Sequence, residues 1–410
     1  MKPMGPIPPF FSGEDGMLLI GGCGAASLID EAGDTPLFVY DLNVMKAQVA
    51  RFRAAVPASV SLHYAIKANP YGPLLRQMVR LTDGFDVASG GEVEMALAAG
   101  MPAERISFAG PGKRDDELKL AIMAGVTLNL ESEGEADRAL AIGDKLGKRP
   151  RLAVRVNPDF DLRGSGMRMG GGSKPFGIDA DRAGTLARNL IQAGAQWRGF
   201  HIFAGSQTLD AEALIETQRA TVGLAARLSE EAGAAPPLVN LGGGFGIPYF
   251  PGDRAVDVEK VGAALSETLE NRPPILKDTE FAIELGRWLV GESGVYLTRI
   301  VDRKVSQGET YLVVDGGLHH QLAASGNFGM VIRRNYPVAI ANKFGIDPAE
   351  EPVSVVGCLC TPLDRLAEKV ALPEAGPGDI IAIFLAGAYG ASASPSAFLG
   401  HKPPLEMLVE

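Results

Sequence analysis

This 410-residue chain is expected to be α/β: a (β/α)8 barrel of the TIM type joined to a C-terminal all-β domain that also takes in the N-terminal strands. Three observations predict it. Short apolar runs alternate with Ala-, Leu- and Glu-rich helical segments about eight times over the central part of the chain. Beyond Gly286 the texture changes to short β-rich runs bounded by Gly, Pro and Asp. Polar or glycine residues recur where the strands should end, which is where a barrel gathers its chemistry: Lys67, Ser89, Glu131, Asn157, Ser206, Gly242 to Gly244 and Glu284. A doubly wound sheet is the competing architecture. It usually has fewer repeats and often opens with a GxGxxG turn, which is absent after the first strand here.

Taken in order, Met1 to Gly13 is proline-rich and reads as a flexible arm, and Met17 to Ile20 and Leu37 to Tyr40 suit strands. The arm and these strands, residues 1–40, are assigned to the β domain, residues 41–290 to the barrel, and residues 291–410 to the remainder of the β domain, a sandwich or small barrel. A helix is predicted from Leu42 to Val56, with apolar residues at Val44, Val49, Phe52 and Val56. Candidate barrel strands are 60–67, 84–89, 105–110, 127–132, 151–157, 199–205, 238–244 and 280–286. Helical composition fills Gly91 to Ala99, Asp115 to Ala124, Ala211 to Ala232 and Val256 to Leu269. Pro158 to Gly177 is too long and glycine-rich for a plain turn; it reads either as a lid or binding loop or as an insertion without order. Val295 to Val301, Thr310 to Val314, Val353 to Val356 and Ile380 to Leu385 are the β-domain strands.

Composition narrows the function. At 46% hydrophobic and 21% charged the chain is ordinary globular material with enough apolar residues for a large core. A net charge of −10, with no concentrated positive run, argues against nucleic acid as a ligand. Cys23, Cys358 and Cys360 form no disulfide framework, and Cys358 with Cys360 lacks the second cysteine pair of a zinc site, so no metal is expected. A reducing cytoplasm fits, and no signal pattern or membrane-length run is present.

The stretch Ser61 to Pro70 places Lys67 at the carboxyl end of an apolar strand, on the face of Ala65 and His63. A desolvated lysine loses its proton readily, as Schiff-base chemistry with a carbonyl cofactor requires; the plain alternative is a strand-end lysine reaching water. Leu241 to Gly246 is a glycine turn after a strand, suited to backbone approach to a phosphate or simply to a tight turn. Glu284-Leu285-Gly286-Arg287 supplies a carboxylate able to protonate a pyridine nitrogen and a guanidinium able to grip phosphate or carboxylate, or a surface ion pair. Gly357 to Pro362 puts the Cys360 thiol at a strand end, and Ala386 to Gly390 puts the Tyr389 phenol in a glycine-flanked turn.

In this order and spacing these motifs resemble the fold-type III pyridoxal-phosphate decarboxylases, the group of ornithine, arginine and diaminopimelate decarboxylases, over nearly the whole chain. The strand Tyr64-Ala65-Ile66-Lys67-Ala68-Asn69, the turn Gly242-Gly243-Gly244, the Glu-x-Gly-Arg at 284–287 and the cysteine motif around Cys360 carry the likeness. The resemblance implies pyridoxal 5'-phosphate as cofactor, bound as a Schiff base to Lys67. Glu284 would keep the pyridine nitrogen protonated. The phosphate would lie against Ser206, Gly243 and Gly244 with help from Tyr389, beside Gly286, and Asp86 would face the cofactor. Arg287 would bind cofactor phosphate or substrate carboxylate. Cys360, reaching in from the partner subunit of a homodimer with shared sites, would protonate the carbon left by decarboxylation.

Departures from that pattern bear on the substrate, expected to be an L-α-amino acid. Phe203 stands where many relatives place the histidine that stacks on the pyridine ring, and His201, two residues earlier, reads as structural. Thr361 replaces the acidic residue that meets the distal ammonium of a diamino substrate, and Arg333 and Arg334 fall where ornithine-type enzymes place an acidic substrate residue. The arginine-proline substrate motif typical of diaminopimelate decarboxylases is missing from Gly317 to Phe328. Asn240 to Phe250, Val314 to His320 and Ala388 to His401 look closer to the branch that includes decarboxylases of carrier-protein-tethered amino acids and exosortase-associated ones. The expected substrate is therefore tethered to an acyl-carrier protein or otherwise lacks a distal ammonium. Diaminopimelate or another diamino acid, racemisation, and a non-catalytic regulator on the same scaffold are the alternatives. Lys67-Ala68-Asn69 with Tyr71-Gly72 favours a racemase; Glu284 in place of an arginine disfavours it. Retention of Lys67 and Cys360 disfavours the regulator.

Overall fold

The computed structural model describes residues 1–410 apart from 162, 163, 165, 169, 329, 331, 332 and 347–349. The chain divides into two compact units, one formed by Val49–Gly246 and Ala255–Gly286, the other by Met1–Gln48, Ile247–Arg254 and Arg287–Glu410.

The first unit is a closed parallel barrel. Its strands, Val60–Ala65, Gly84–Val87, Ile106–Phe108, Thr127–Leu130, Arg151–Asn157, Gln196–Ile202, Leu238–Asn240 and Glu280–Leu285, pair with their sequence neighbours, and the eighth closes on the first through pairs such as Glu284 with His63. All eight expected strands are present. Several are shorter than their apolar runs because the barrel leaves each strand end free to turn into a helix. The intervening helices include Gly90–Ala99, Asp115–Ala124, Glu133–Leu146, Ala211–Ala232 and Val258–Glu270. Ser89 and Ser132 cap two of them, accepting from the N–H of Glu92 and Glu135 at 3.1 Å each, which sets where those helices leave the strand ends. Strand residues such as Leu62, Tyr64, Phe85, Phe108, Leu128, Val154 and Ile283 are buried, as expected of a sheet covered on both faces.

The stretch after Asn157, within which four residues lie outside those described, is not a free insertion. Met167–Arg168 pairs antiparallel with Gly205–Ser206, and Ile178–Asp179 adds to the fifth barrel strand. The Gly170 N–H also donates to the Ala204 carbonyl at 2.9 Å.

The second unit is built on a mixed sheet. Its long strand Gly294–Ser306 pairs in its first half with Leu37–Asp41 and Ile380–Ile383, and in its second half with Glu309–Val314. Glu350–Val356 and Arg365–Pro373 continue one edge, Val338–Ile340 adds to Ile380–Ile383, and Leu405–Val409 lies parallel to Leu37–Asp41. The N-terminal strands thus divide. Leu37–Asp41 enters the main sheet, whereas Met17–Ile20 sits in a separate three-stranded antiparallel sheet with Ser12–Glu14 and Cys23–Gly24. The proline-rich start, expected to be a flexible arm, is instead tied down. Met4 bridges Asn335, the Lys2 N–H donates to the Lys369 carbonyl at 2.8 Å, and the Lys2 ammonium reaches Glu368 at 2.6 Å.

Candidate active site

A cavity at the carboxyl ends of the barrel strands is lined by Lys67, Asp86, Gly110, Arg155, Phe203 and Glu284, among others. The first strand stops at Ala65, and Ile66–Ala68 form one turn of 3-10 helix that turns Lys67 out of the sheet. Lys67 is exposed, so of the two readings of the sequence it is a strand-end ammonium reaching water rather than a desolvated one. Its Nζ lies 5.6 Å from the centre of the Phe203 ring, a cation–π contact at the cavity wall.

Glu284, near the end of the eighth strand, is buried, and its Oε2 is 2.9 Å from His201 Nε2 and 3.2 Å from the Asn240 amide nitrogen. Burial pushes its carboxyl up. The His201 charge and hydrogen bond, with Lys67 and Arg155, more than reverse this and hold it down to about 2. Glu284 is therefore an ionised carboxylate facing the cavity at neutral pH. Asn240 also accepts the Gly242 N–H at 2.8 Å, linking that carboxylate to the glycine turn. In the turn Gly242 and Gly244 adopt φ of +70° and +87°, and a side chain on Gly243 would collide with the Glu284 carbonyl oxygen, so both conformation and space demand glycine. The Thr208 N–H donates to the Gly244 carbonyl at 2.9 Å, joining the turn to the segment that carries Ser206.

Asp86 is buried, and among the described residues its carboxylate meets His63 Nδ1, 3.3 Å away. Burial pushes the His63 imidazole down, and Asp86 reverses this and raises it above its usual value. The opposite wall is a charged lattice. The Glu131 carboxylate binds Arg155 at 2.6 Å and the N–H groups of Gly110 and Gly177 at 2.6 and 2.7 Å. Burial opposes its ionisation, but Arg155 and Lys113 hold it below the usual carboxylate range. Lys113 and Glu135 form a pair at 2.6 Å beneath it, and Lys113 also donates to the carbonyls of Gly110 and Asn129 at 2.8 Å each.

The barrel thus brings together Lys67, Asp86, Phe203 and Glu284 around one cavity, with Gly243 and Gly244 in the turn that Asn240 links to Glu284. Gly286, just past the eighth strand, lies so close to Ala68 that a Cβ would sit 2.8 Å from the alanine methyl. Ser206 also belongs to the barrel unit, whereas Arg287, Tyr389, Cys360, Thr361, Arg333 and Arg334 lie in the other unit. Arg287 donates to the Tyr249 hydroxyl at 2.8 Å and stacks over the Tyr389 ring at 4.7 Å. Tyr389 itself has φ +54°. Cys360 is an exposed free thiol, and the Thr361 N–H beside it donates to the Leu359 carbonyl at 2.8 Å. Arg333 is engaged by the backbone carbonyls of Ser325 and Leu363, and the Arg334 guanidinium lies 3.7 Å from the Phe250 ring centre. Sequence reasoning missed the direct pairing of His201 with Glu284 and did not single out Asn240 or Arg155. The only signal for them was that each falls on an expected strand.

The residues present suit pyridoxal phosphate. A primary amine, a buried, ionised carboxylate, an aromatic ring and a second buried carboxylate line one cavity, and a glycine turn follows the strand next to that of Glu284.

Residues 42–291 match the model of the pyridoxal-dependent decarboxylase pyridoxal binding domain. The chain is 36% identical over 383 residues to the L-glutamyl-[BtrI acyl-carrier protein] decarboxylase of Niallia circulans, covering 92% of this chain and 89% of that protein. It is 30% identical to the 2-[(L-alanin-3-ylcarbamoyl)methyl]-2-hydroxybutanedioate decarboxylase of Staphylococcus aureus, covering 90% of this chain and 92% of the relative. Among solved structures, diaminopimelate decarboxylase of Helicobacter pylori in complex with L-lysine superposes with a TM-score of 0.83 at 27% identity, covering 94% of each chain. The chain belongs to the ornithine, arginine and diaminopimelate group of pyridoxal-dependent decarboxylases, and is a carboxy-lyase whose cofactor is pyridoxal phosphate.

Proposed function

We propose that this enzyme decarboxylates an L-α-amino acid that is carried on an acyl-carrier protein or otherwise lacks a distal ammonium. When bound, pyridoxal phosphate supplies the electron-accepting ring for that reaction. Lys67 would hold it at the mouth of the first strand. Glu284, kept ionised by His201, would keep a proton on the ring nitrogen. Phe203 would meet the ring without offering it a hydrogen bond, and Asp86 is the charge on the neighbouring strand. Ser206, Gly243 and Gly244 would hold the phosphate, with Tyr389, and the absence of a side chain at Gly286 leaves room for the lysine turn. Arg287 would grip the phosphate or the substrate carboxylate. Cys360 of a second copy donates the proton that replaces carbon dioxide at the α-carbon, which makes the working form a homodimer. A reducing cytoplasm suits the free thiol on which that step depends.

The observation that carries the substrate reading is the absence of an acid where a distal ammonium would be met. Thr361 occupies that position, with Arg333 and Arg334 in the same unit. Two relatives support it, since the substrates in their names are a carrier-linked glutamyl group and an amino acid joined to a hydroxybutanedioate. The test is carbon dioxide release by the purified holoenzyme from L-glutamyl carrier protein, free L-glutamate, diaminopimelate, L-lysine and L-ornithine. Preference for the carrier-linked or acidic substrates is expected. Equal or faster turnover of the free diamino acids would overturn the reading.

A further inference from the structure

Three loops of the β-rich unit converge on side chains that decarboxylation does not use. His319, Cys358 and His401 each present one ligand atom, and these atoms all lie within 4.8 Å of one another. Cys358 Sγ is 3.9 Å from each ring nitrogen of His401, and the rings of His319 and His401 are 5.0 Å apart centre to centre. His319 is 0% exposed, yet among the described residues neither of its ring nitrogens has a hydrogen-bond partner. Buried polar atoms in native interiors are nearly always satisfied, so an enclosed imidazole of this kind beside a thiol and a second imidazole is a group that a bound ion would satisfy.

Hydrogen bonds hold the three loops in register, and the Cys358 thiol, which a metal would deprotonate, itself donates to the Asp315 carbonyl at 3.4 Å. The Asp364 carboxylate accepts the Leu318 N–H at 2.6 Å and the Leu359 N–H at 2.9 Å, so one side chain fixes the neighbours of both His319 and Cys358. The Cys358 N–H donates to the Gly316 carbonyl at 3.1 Å. His320 bonds the Lys402 carbonyl through Nε2 at 2.8 Å and the Tyr296 hydroxyl through Nδ1 at 3.2 Å, which fastens the chain beside His401 to the loop of His319. Outer partners of this kind orient the ligands of metal sites. A tetrahedral zinc ion, about 2.3 Å from sulfur and about 2.0–2.1 Å from nitrogen, needs donors spaced roughly 3.3–3.6 Å apart. The Cys358 to His401 spacing has only a few tenths of an ångström to close.

We propose that His319, Cys358 and His401 bind a divalent transition-metal ion, zinc by the chemistry of an imidazole–thiolate set, with water in the fourth position. Cys358 gives up its thiol proton to solvent as the sulfur–metal bond forms. The ion fastens the turn that also carries Cys360, two residues on. The expectation that the cysteine pair marks no metal site considered only a second cysteine pair; the structure supplies histidines from distant loops instead.

Holoenzyme purified after growth with added zinc and dialysed should carry about one zinc per chain by elemental analysis. Exchange with Co2+, read as a difference spectrum against the zinc-loaded protein so that cofactor absorbance cancels, should give visible bands of tetrahedral cobalt and a thiolate-to-cobalt charge-transfer band. Cys358→Ser should abolish the charge-transfer band. His401→Ala, which removes an exposed side chain, should weaken Co2+ binding at least about tenfold. Cys360→Ser should leave the spectrum unchanged. Circular dichroism and melting temperature establish that each variant is folded. Less than about a tenth of an equivalent of either metal in folded wild-type protein, or an unchanged charge-transfer band in folded Cys358→Ser, overturns the proposal. Neither result depends on decarboxylation.

Discussion

Lys113→Met isolates the lattice behind the cavity. The Lys113 and Glu135 side chains are 1% and 2% exposed and meet at 2.6 Å. Methionine keeps the apolar stem but removes all three donors, leaving Glu135 as an unpaired buried carboxylate and the Gly110 and Asn129 carbonyls without this partner. Removing one member of a buried ion pair costs about 3–5 kcal/mol. At roughly 2–4 °C per kcal/mol for a unit of this size, the melting temperature should fall by about 6–20 °C in scanning calorimetry. The pair itself is not a source of stability. Burial lowers the Lys113 ammonium and raises the Glu135 carboxyl despite their attraction. A lysine lowered on folding subtracts stability as pH falls below the unfolded value of about 10.4, and a glutamate raised on folding subtracts it as pH rises above about 4.3. Both penalties act at neutral pH. The double variant Lys113→Met with Glu135→Leu should therefore recover most of the loss. A single variant within about 1 kcal/mol of wild type, or a double variant as unstable as the single one, would refute the reasoning.

Lys67→Ala should abolish both turnover and the label left on the chain by borohydride reduction of the holoenzyme; mass spectrometry of the peptide containing residue 67 reads this directly. If Cys360 is the proton donor proposed above, Cys360→Ala should lower kcat by about 10²–10⁴ with the melting temperature nearly unchanged, because the thiol is exposed. Glu284, held at about 2 against an ordinary 4.5, contributes stability that is complete above the ordinary value and lost as pH falls through about 2. Urea unfolding of the apoprotein across the acid range should show a shallower acid loss in Glu284→Gln than in wild type. An equal slope would count against the assignment.

The barrel was legible because its signal is local and repeated: each apolar run contains a strand, and Asp115–Ala124 and Ala211–Ala232 fall where composition placed them. Lys67, Glu284 and the glycine turn were legible as strand ends. What periodicity left open was the exposure of Lys67, since a single 3-10 turn separates it from its strand and periodicity cannot register one turn. The bond from His201 to Glu284 escaped because the partners sit two strands apart in the barrel and 83 residues apart in the chain. Glu131 announced itself at a strand end, but Lys113 and Glu135 lie within connecting segments, where a buried charge resembles a solvated one. The same limit hid the histidine partners of Cys358. The anchoring of the N-terminal arm through Met4 and Lys2 depends on residues more than 300 positions away, which no local pattern encodes.

The interleaving of the two units also sets a timetable for synthesis. Strand Leu37–Asp41 emerges early from the ribosome, but its sheet partners Gly294–Ser306 and Leu405–Val409 follow only after the entire barrel has been made. Its apolar residues, Leu37 to Tyr40, are all buried in the finished protein. The nascent chain must therefore carry an unpaired hydrophobic edge throughout barrel synthesis, the segment a holding chaperone would shield. Leu405–Val409 docks later still as a parallel strand, so a chain released just short of Leu405 would be left with that edge open.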